Sequence, residues 1–330
     1  VRTLTSRKGP DNNPVVSPDG RLVAFVGYED RFVGYQNAEL SVMDLKSGGV
    51  RSLTKGLDRS VGDPVWAADG KSIYVDYEDH GTVHLARVGL DGSIRPVAEG
   101  LTGSEFDRPY AGGEYSVARD GSIAMTKGAA ARPSDIVLLR GGERPLTHLN
   151  QDWLSAKSLG AVEKLPVTAF DNRAVEAWLV KPPGFDANRK YPMILEIHGG
   201  PFAAYGPNFS TDDQLYAAAG YVVLYVNPRG STSYGADFAN QIDKAYPGRD
   251  YDDLMSAVDA AIAKGFVDPD NLFVTGGSGG GVLTAWIVGK TDRFKAAVTQ
   301  KPVIDWASFA LTADGAPFFA RYWFGKMPWE

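Results

Sequence analysis

One segment constrains the fold of this chain more than any other. Residues 271–289 join a short apolar run to the sequence Gly276-Gly-Ser278-Gly-Gly280 and then to a stretch of helical character. Glycines beside the serine let a helix turn back sharply against its own strand, where a side chain would collide. Gly-x-Ser-x-Gly between a strand and a helix is the pattern of a nucleophile elbow, which presents the serine hydroxyl to a base and an oxyanion hole.

Two other interpretations fit the glycines alone. A flexible linker has this composition, but a linker would not lie between an apolar strand and a helix that contains Leu283 and Trp286. A phosphate-binding loop would end in Lys followed by Ser or Thr, whereas Val282 follows Gly281 here. The elbow is the better interpretation, and Ser278 is the candidate nucleophile.

The first half of the sequence repeats itself. An Asp-Gly turn signal precedes a short apolar strand at Asp19, Asp69 and Asp120, a spacing of about 50 residues. That spacing is typical of a four-stranded propeller blade. The strands that follow the turns cover 22–26, 72–75 and 122–125, and the segments that close the units cover 50–54, 94–98 and 143–147. We predict a partial β-propeller of about three blades over residues 1–150; coincidental alternation in another all-β domain is the alternative.

Residues 1–5 match the segment that closes each unit. This match predicts that the sequence opens on the last strand of a further blade, and closed propellers have about four to eight blades. We expect the propeller to be truncated at its N-terminus, with any targeting segment upstream.

The pattern changes near residue 150. Strands are predicted over 162–169, 174–181, 193–198, 221–227, 272–275 and 295–300, and helices over 212–219, 250–264 and 279–288. Apolar strands that alternate with amphipathic helices indicate a parallel sheet covered on both faces. Residues 151–330 are thus predicted to form an α/β-hydrolase domain with a doubly wound, mostly parallel sheet, and with the serine at the carboxyl end of a central strand.

The oxyanion hole has two candidate donors. The backbone N–H of Gly279, directly after the nucleophile, is the first. The second is expected in the loop after an earlier strand, where His198-Gly-Gly-Pro201 follows the apolar run 193–197 and offers the N–H of Gly200. An ordinary turn at the end of a strand is the alternative.

The sequence offers no base histidine in the expected order. In α/β hydrolases the base follows the nucleophile, but His80, His84, His148 and His198 all precede Ser278. His198 belongs to the oxyanion side of the site, and we expect the other three to be structural or solvated. The catalytic Asp and His are expected outside this sequence, in a missing C-terminal part of the hydrolase domain. Because loss of the base costs on the order of a millionfold in kcat, the isolated chain is expected to be nearly inert.

Three motifs in the second half together resemble the prolyl oligopeptidase family, in particular its acylaminoacyl-peptidase and dipeptidyl-peptidase-like bacterial branch. They are Tyr191-Pro-Met-Ile-Leu-Glu-Ile-His-Gly-Gly-Pro201, Asn227-Pro-Arg-Gly-Ser-Thr-Ser-Tyr-Gly235 and Gly276-Gly-Ser-Gly-Gly280. The resemblance implies a serine peptidase that cleaves short peptides at a buried site between propeller and hydrolase domain, through an acyl-enzyme on Ser278. It also implies an oxyanion hole formed by Gly279 and Gly200.

Other residues are less clearly assigned. Arg229 could bind a substrate carboxylate or acyl oxygen, or it could brace its own loop. The family's dipeptidyl peptidases hold the substrate amino terminus with paired propeller glutamates. We interpret the acidic pairs Glu29-Asp30 and Glu78-Asp79 as solvated loop charges, because the surrounding motif is missing. Gly279 stands where relatives often carry a bulkier residue.

Two alternatives to a peptidase stay open: a carboxylesterase that uses the same site, and a catalytically inactive propeller protein that binds peptides.

A net charge of −6 disfavours a nucleic-acid partner, and no apolar stretch is long enough to span a membrane. With no cysteine, thiolate metal sites are excluded, and we expect neither a metal nor another cofactor. The expected partners are a short peptide substrate and a separate chain that carries the missing C-terminal segment. We expect a soluble protein, and the sequence leaves open whether its compartment is the cytoplasm or the periplasm.

Overall fold

The structure, a computed structural model, describes residues 2–103, 105, 107–315, 318–327 and 329–330. In this part of the chain the N-terminal half forms three antiparallel sheets of four strands, each strand pairing with the next along the sequence. The first sheet contains β1 (Asp11–Val16), β2 (Leu22–Gly27), β3 (Glu39–Asp44) and β4 (Val50–Ser52). The second contains β5 (Val61–Trp66), β6 (Ser72–Asp79), β7 (Thr82–Gly89) and β8 (Ile94–Leu101). The third contains β9 (Tyr115–Val117), β10 (Ile123–Ala129), β11 (Arg132–Leu139) and β12 (Glu143–Pro145).

The Asp-Gly turns occupy the same place in all three sheets. Each connects the first strand to the second, and the glycines Gly20, Gly70 and Gly121 have φ values of 73°, 66° and 84°. Each glycine N–H also donates to the carbonyl oxygen three residues earlier at 2.9 Å. The positive φ explains why glycine follows aspartate here. The repeat predicted from the sequence is therefore a structural repeat.

Consecutive sheets pack against each other through apolar clusters. One cluster joins Ala24 and Val42 of the first sheet to Ile73 and Val75 of the second. Another joins residues of the second and third sheets, including Leu85 and Met125. A single four-stranded sheet could not bury its apolar face alone, so this stacking supplies the core of the N-terminal half.

The second half contains a mixed sheet with the spatial order β13-β14-β16-β15-β17-β18. Its strands are β13 (Val162–Thr168), β14 (Ala174–Val180), β15 (Tyr191–Ile197), β16 (Val222–Asn227), β17 (Val267–Gly277) and β18 (Phe294–Gln300). The first two strands pair antiparallel, and β14 is antiparallel to β16. The pairs β15–β16, β15–β17 and β17–β18 are parallel. The predicted strands are present, with β17 extending further toward the N-terminus than the run 272–275.

Helices cover both faces of this sheet. Those that pack on it are α2 (Thr211–Ala218), α4 (Asp250–Ala263) and α5 (Gly279–Val288). The described residues also form α1 (Gln151–Leu154), α3 (Ala236–Ala239) and α6 (Trp306–Thr312), a 3-10 turn at Asn240–Ile242 and a π-helical segment at Phe319–Phe324. The core on one side contains Leu179 with Leu254 of α4 and Leu283 of α5. The opposite core contains Trp178 with Ala217 of α2. Neighbouring residues of β14 thus face opposite cores, as a sheet with two buried faces requires.

Residues 2–5 do not form the closing strand predicted for them, and Val1 lies outside the described residues. A strand is defined by hydrogen bonds to a neighbour, and no described segment pairs with residues 2–5. The prediction places the partners of this strand outside the sequence, so the further blade stays a prediction. The short helices α1 and α3 were also not predicted, because one turn carries too few residues to show periodicity.

Candidate active site

The loops that follow β15, β16 and β17 meet at one edge of the mixed sheet, where the candidate site lies. Ile197, the last residue of β15, pairs with Gly276 of β17 on one side and with Val226 of β16 on the other. Because these strands are parallel, their carboxyl ends lie together. The loops that begin at His198 and Ser278 therefore start side by side, as the sequence predicts for a hydrolase site.

Ser278 lies on a strained turn between β17 and α5. Its φ is 55° and its ψ is −115°, a conformation that non-glycine residues rarely adopt. The residue is exposed, whereas its neighbours Gly277 and Gly279 are buried. A Cβ on Gly276 would lie 2.6 Å from the carbonyl carbon of Gly280, which leaves room only for glycine. The elbow geometry is thus present, and it exposes the serine.

The two predicted oxyanion donors are neighbours. A Cβ on Gly279 would lie 2.9 Å from the carbonyl carbon of Gly200 and 3.1 Å from its nitrogen. Gly200 has a φ of 120° and is exposed, so it also occupies a position that favours glycine. Within the described residues, neither the N–H of Gly279 nor that of Gly200 donates to a protein acceptor. Both donors remain available beside Ser278.

His198 is held in place on both sides of its ring. Its Nδ1 lies 2.7 Å from the carbonyl oxygen of Gly199, and its Nε2 lies 2.9 Å from the hydroxyl of Ser231. The side chain is buried, and burial lowers the pKa of His198 to about 4. These contacts agree with a supporting role in residues 198–201, the candidate oxyanion loop, which is called the oxyanion loop below. They leave no ring nitrogen free to serve as a base.

Arg229 braces its own loop. Its Nε lies 2.9 Å from Oδ2 of Asp253, and its Nη2 lies 2.8 Å from Oδ1 of the same carboxylate. Nη2 also approaches Asp171 at 3.2 Å, and the guanidinium lies over the ring of Phe170. The side chains of Arg229 and Asp253 are 4% and 0% exposed. Of the two roles that the sequence left open, these contacts favour bracing over substrate binding.

A tyrosine that the sequence did not reveal supports the elbow. The hydroxyl of Tyr246, in the loop before α4, donates to the carbonyl oxygen of Gly279 at 2.7 Å. Its ring packs edge-on against Trp306 and Trp323, with centroids 6.4 and 5.9 Å apart. The fold joins these distant positions, so no local sequence signal marks them.

A cavity of about 400 Å³ lies between the second N-terminal sheet and the loop after β15. Its lining includes Asp76 and Glu78 of β6 together with Phe202 and Ala203, which directly follow Pro201. The described lining residues include no lysine or arginine. The cavity is therefore acidic and adjoins the oxyanion loop.

Asp76 and Glu78 of β6 are not solvated loop charges. Burial raises the pKa of Asp76 to about 6, and nearby Asp63 adds to the effect. Burial also raises the pKa of Glu78, although the hydroxyl of Thr232 donates to it at 3.0 Å. The interpretation of Glu78 as a loop charge was wrong, since β6 is longer than predicted and directs Glu78 to the same face as Asp76. The next residue, Asp79, instead pairs with Arg59 at 2.7 Å.

The mixed sheet carries an exposed serine on a strained strand-to-helix turn, beside two backbone N–H groups that have no protein acceptor among the described residues. This is the arrangement that the sequence predicts for a serine hydrolase. Residues 207–330 match the prolyl oligopeptidase family, and this part of the chain is a domain of that family. No helix among the described residues is long and apolar enough to cross a membrane.

Similar proteins are peptidases. The chain is 35% identical over 311 residues to the "Uncharacterized peptidase YuxL" of Bacillus subtilis, covering 87% of this chain and 46% of that protein. It is 30% identical over 313 residues to the "Probable dipeptidyl-peptidase 5" of Arthroderma benhamiae, covering 91% of this chain and 42% of that protein. The solved acylaminoacyl peptidase of Pyrococcus horikoshii superposes with a TM-score of 0.83 at 25% identity, covering 96% of this chain and 49% of that one. The chain thus spans about half the length of these relatives.

Proposed function

We propose that this chain contributes the nucleophile and the oxyanion hole of a serine peptidase that hydrolyses short peptides through an acyl-enzyme on Ser278. The observation that carries the proposal is the exposed Ser278 on a strained turn beside the backbones of Gly279 and Gly200. Preorganised backbone donors stabilise the oxyanion of the tetrahedral intermediate, and removal of one typically costs about 10²–10³ in kcat. Strain of this kind is costly to keep without use, which argues against an inactive binding protein.

The remaining parts of the proposal concern architecture. The three N-terminal sheets share one meander, one turn position and a stacked arrangement, which supports their assignment as blades of a β-propeller. The mixed sheet with its elbow supports an α/β-hydrolase domain. Within the described residues, the hydroxyl of Ser278 contacts neither a histidine nor a carboxylate, so we propose that the triad base and acid come from outside residues 1–330.

The acidic cavity supports a substrate with a free amino terminus. Asp76 and Glu78 are mostly buried without a lysine or arginine in the described lining, so ionising both is unfavourable until a cation enters. The ammonium group of an unblocked peptide would supply that charge, whereas an acylated amino terminus would not. We therefore favour the dipeptidyl type of peptidase over the acylaminoacyl type.

Steady-state kinetics on three substrates separate the alternatives. The natural polypeptide that contains residues 1–330 is assayed with Ala-Ala-p-nitroanilide, its N-acetylated form and p-nitrophenyl butyrate. The proposal predicts the highest kcat/KM for the free-amino anilide and no turnover by Ser278→Ala. Activity on the ester alone would indicate a carboxylesterase, and peptide binding that Ser278→Ala retains, with no turnover by the parent, would indicate a binding protein.

The double variant Asp76→Asn/Glu78→Gln tests the amino-terminal subsite. It should raise KM for the free-amino anilide at least about tenfold, because a desolvated charge pair is strong, and should leave the acetylated substrate unaffected. Glu99→Gln is the matched control, since it removes an exposed carboxylate from the same sheet. Equal losses on both anilides would contradict the subsite.

A further inference from the structure

Residues 107–111, which lie between β8 and β9 in the sequence, pack along the loop after β15. The N–H of Gly206 donates to the carbonyl oxygen of Pro109 at 2.8 Å, and the N–H of Ala111 donates to that of Ala204 at 2.9 Å. Residues 107–111 therefore run antiparallel to the loop and are bonded to it on both sides of Tyr110.

A buried ion pair anchors this segment to the carboxyl end of β15. The guanidinium of Arg108 contacts Glu196, the next-to-last residue of β15, and its Nη2 donates to the side-chain oxygen of Gln300 at 3.2 Å. The side chains of Arg108 and Glu196 are 10% and 0% exposed. Buried, hydrogen-bonded charges tolerate little displacement, so the pair fixes where residues 107–111 lie relative to β15.

Tyr110 reaches from this segment to the oxyanion loop. Its hydroxyl accepts the N–H of Gly199 at 2.7 Å, and its ring packs edge-on against Tyr205 with centroids 4.8 Å apart. A Cβ on Gly199 would lie 3.1 Å from that hydroxyl and 3.4 Å from Cβ of Ser278. Gly199 is therefore confined between Tyr110 and the nucleophile.

We propose that Tyr110 is a positioning residue for the oxyanion hole, an inference that rests on the proposed function. By accepting the N–H of Gly199, the hydroxyl fixes the His198–Gly199 peptide, which lies one residue before the N–H of Gly200. The N–H of Gly200 is thereby held beside Gly279 without being consumed by a protein acceptor among the described residues. The N-terminal half thus contributes directly to the geometry of the oxyanion hole through the hydroxyl of Tyr110. A substitution that removes only this hydroxyl tests the inference.

The test is Tyr110→Phe in the natural polypeptide that contains this chain. Phenylalanine keeps the ring contact with Tyr205 and removes only the hydroxyl. Hydrolysis of the preferred anilide should lose about tenfold in kcat with KM within about twofold, because a misplaced donor weakens transition-state binding more than substrate binding. Tyr115→Phe is the control, since that hydroxyl donates to the carbonyl oxygen of Asp63 within the N-terminal sheets.

Hydrogen exchange of peptides that cover 198–206 provides a readout that does not need activity. Exchange should accelerate about tenfold in Tyr110→Phe and stay at the parental rate in Tyr115→Phe, because only the first variant frees an N–H of this loop. An exchange rate in Tyr110→Phe equal to that of the parent would overturn the inference. Faster exchange in Tyr110→Phe with an unchanged kcat would also overturn it, as would an equal loss of kcat in Tyr110→Phe and Tyr115→Phe. A parent that hydrolyses no substrate would overturn the proposed function, while the exchange result would still decide whether Tyr110 holds the loop.

Discussion

Glycine at position 279 is required by the backbone that faces it. The site brings Gly279 so close to Gly200 that a methyl group would overlap with the oxyanion loop. The sequence identified Gly279 as unusual for its family, and the structure supplies a physical reason. A larger residue at this position would need the loop to lie further away.

Gly279→Ala should therefore lower kcat at least about tenfold by displacing one oxyanion donor from the other. Gly289→Ala is the matched control at the other end of α5, where the nearest atom to a new Cβ is 3.5 Å away. Kinetics and thermal unfolding of both variants provide the check. Parental kcat in Gly279→Ala would mean that Gly200 is not an oxyanion donor.

Asp213 should make stability depend on pH. It is 1% exposed in the first turn of α2, and burial raises its pKa to about 7. Between about pH 4, where an unfolded aspartate ionises, and about pH 7, only the unfolded chain releases the proton. The free energy of unfolding therefore falls as pH rises through this window. Asp213→Asn removes the ionisation. The melting temperature of the variant minus that of the parent should therefore be larger at pH 8 than at pH 5.

Asp270→Asn is the control for this prediction, because Asp270 is exposed. Its melting temperature relative to the parent should be the same at both pH values. If Asp213→Asn behaved like Asp270→Asn, the carboxyl of Asp213 would not be held protonated in the folded protein.

At the scale of elements, Arg229 connects the loop after β16 to helix α4. Arg229→Gln leaves Asp253 buried without its charged partner, which should cost about 3–5 kcal/mol of stability. The double variant Arg229→Gln/Asp253→Asn removes both charges and should recover most of that loss. Its KM should stay within about twofold of the parent if Arg229 only braces the loop. A stable double variant with KM raised more than tenfold would instead assign Arg229 to the substrate.

Elements with strong local signals could be predicted from the sequence. The Asp-Gly turns, the apolar runs of β15 and β16, and helix α5 each carry their signal within a few residues, and the structure has them close to the predicted bounds. Glu78 was misinterpreted because the exposure of a strand end depends on what packs against it. Tyr110 and Tyr246 were missed because their contacts are separated by 89 and 33 residues along the chain. Local pattern predicts elements, whereas the lining of a site depends on how the elements meet.

At the scale of the molecule, the N-terminal half and the mixed sheet meet through closely approaching backbones. Gly81, in the β6–β7 turn, lies so near Tyr205 and Gly206 that a Cβ would overlap with the carbonyl oxygen of Tyr205. The N–H of Gly81 also donates to the hydroxyl of Ser233 at 2.7 Å. This contact lies next to the loop that Tyr110 holds, so separating the halves should disturb the site.

Gly81→Ala should destabilise the protein more than Gly48→Ala. Both glycines have positive φ, 71° and 75°, so alanine costs about 1–2 kcal/mol of backbone strain at either position. Only at Gly81 does the new methyl also push against the other half, since a Cβ on Gly48 would have no described atom within 4 Å. Thermal unfolding should show the larger loss for Gly81→Ala, together with reduced kcat. Equal losses of stability in Gly81→Ala and Gly48→Ala would mean that the contact between the two halves at Gly81 contributes nothing to the free energy of unfolding.

The most direct test of the central claim is covalent labelling of Ser278. The natural polypeptide that contains this chain is treated with a fluorophosphonate, and its intact mass is measured under denaturing conditions before and after treatment. The account predicts one adduct, on Ser278, that Ser278→Ala abolishes; any second polypeptide in the same spectrum is a candidate source of the base and acid. An absence of any adduct, or an adduct that persists in Ser278→Ala, would contradict the claim that Ser278 is the nucleophile.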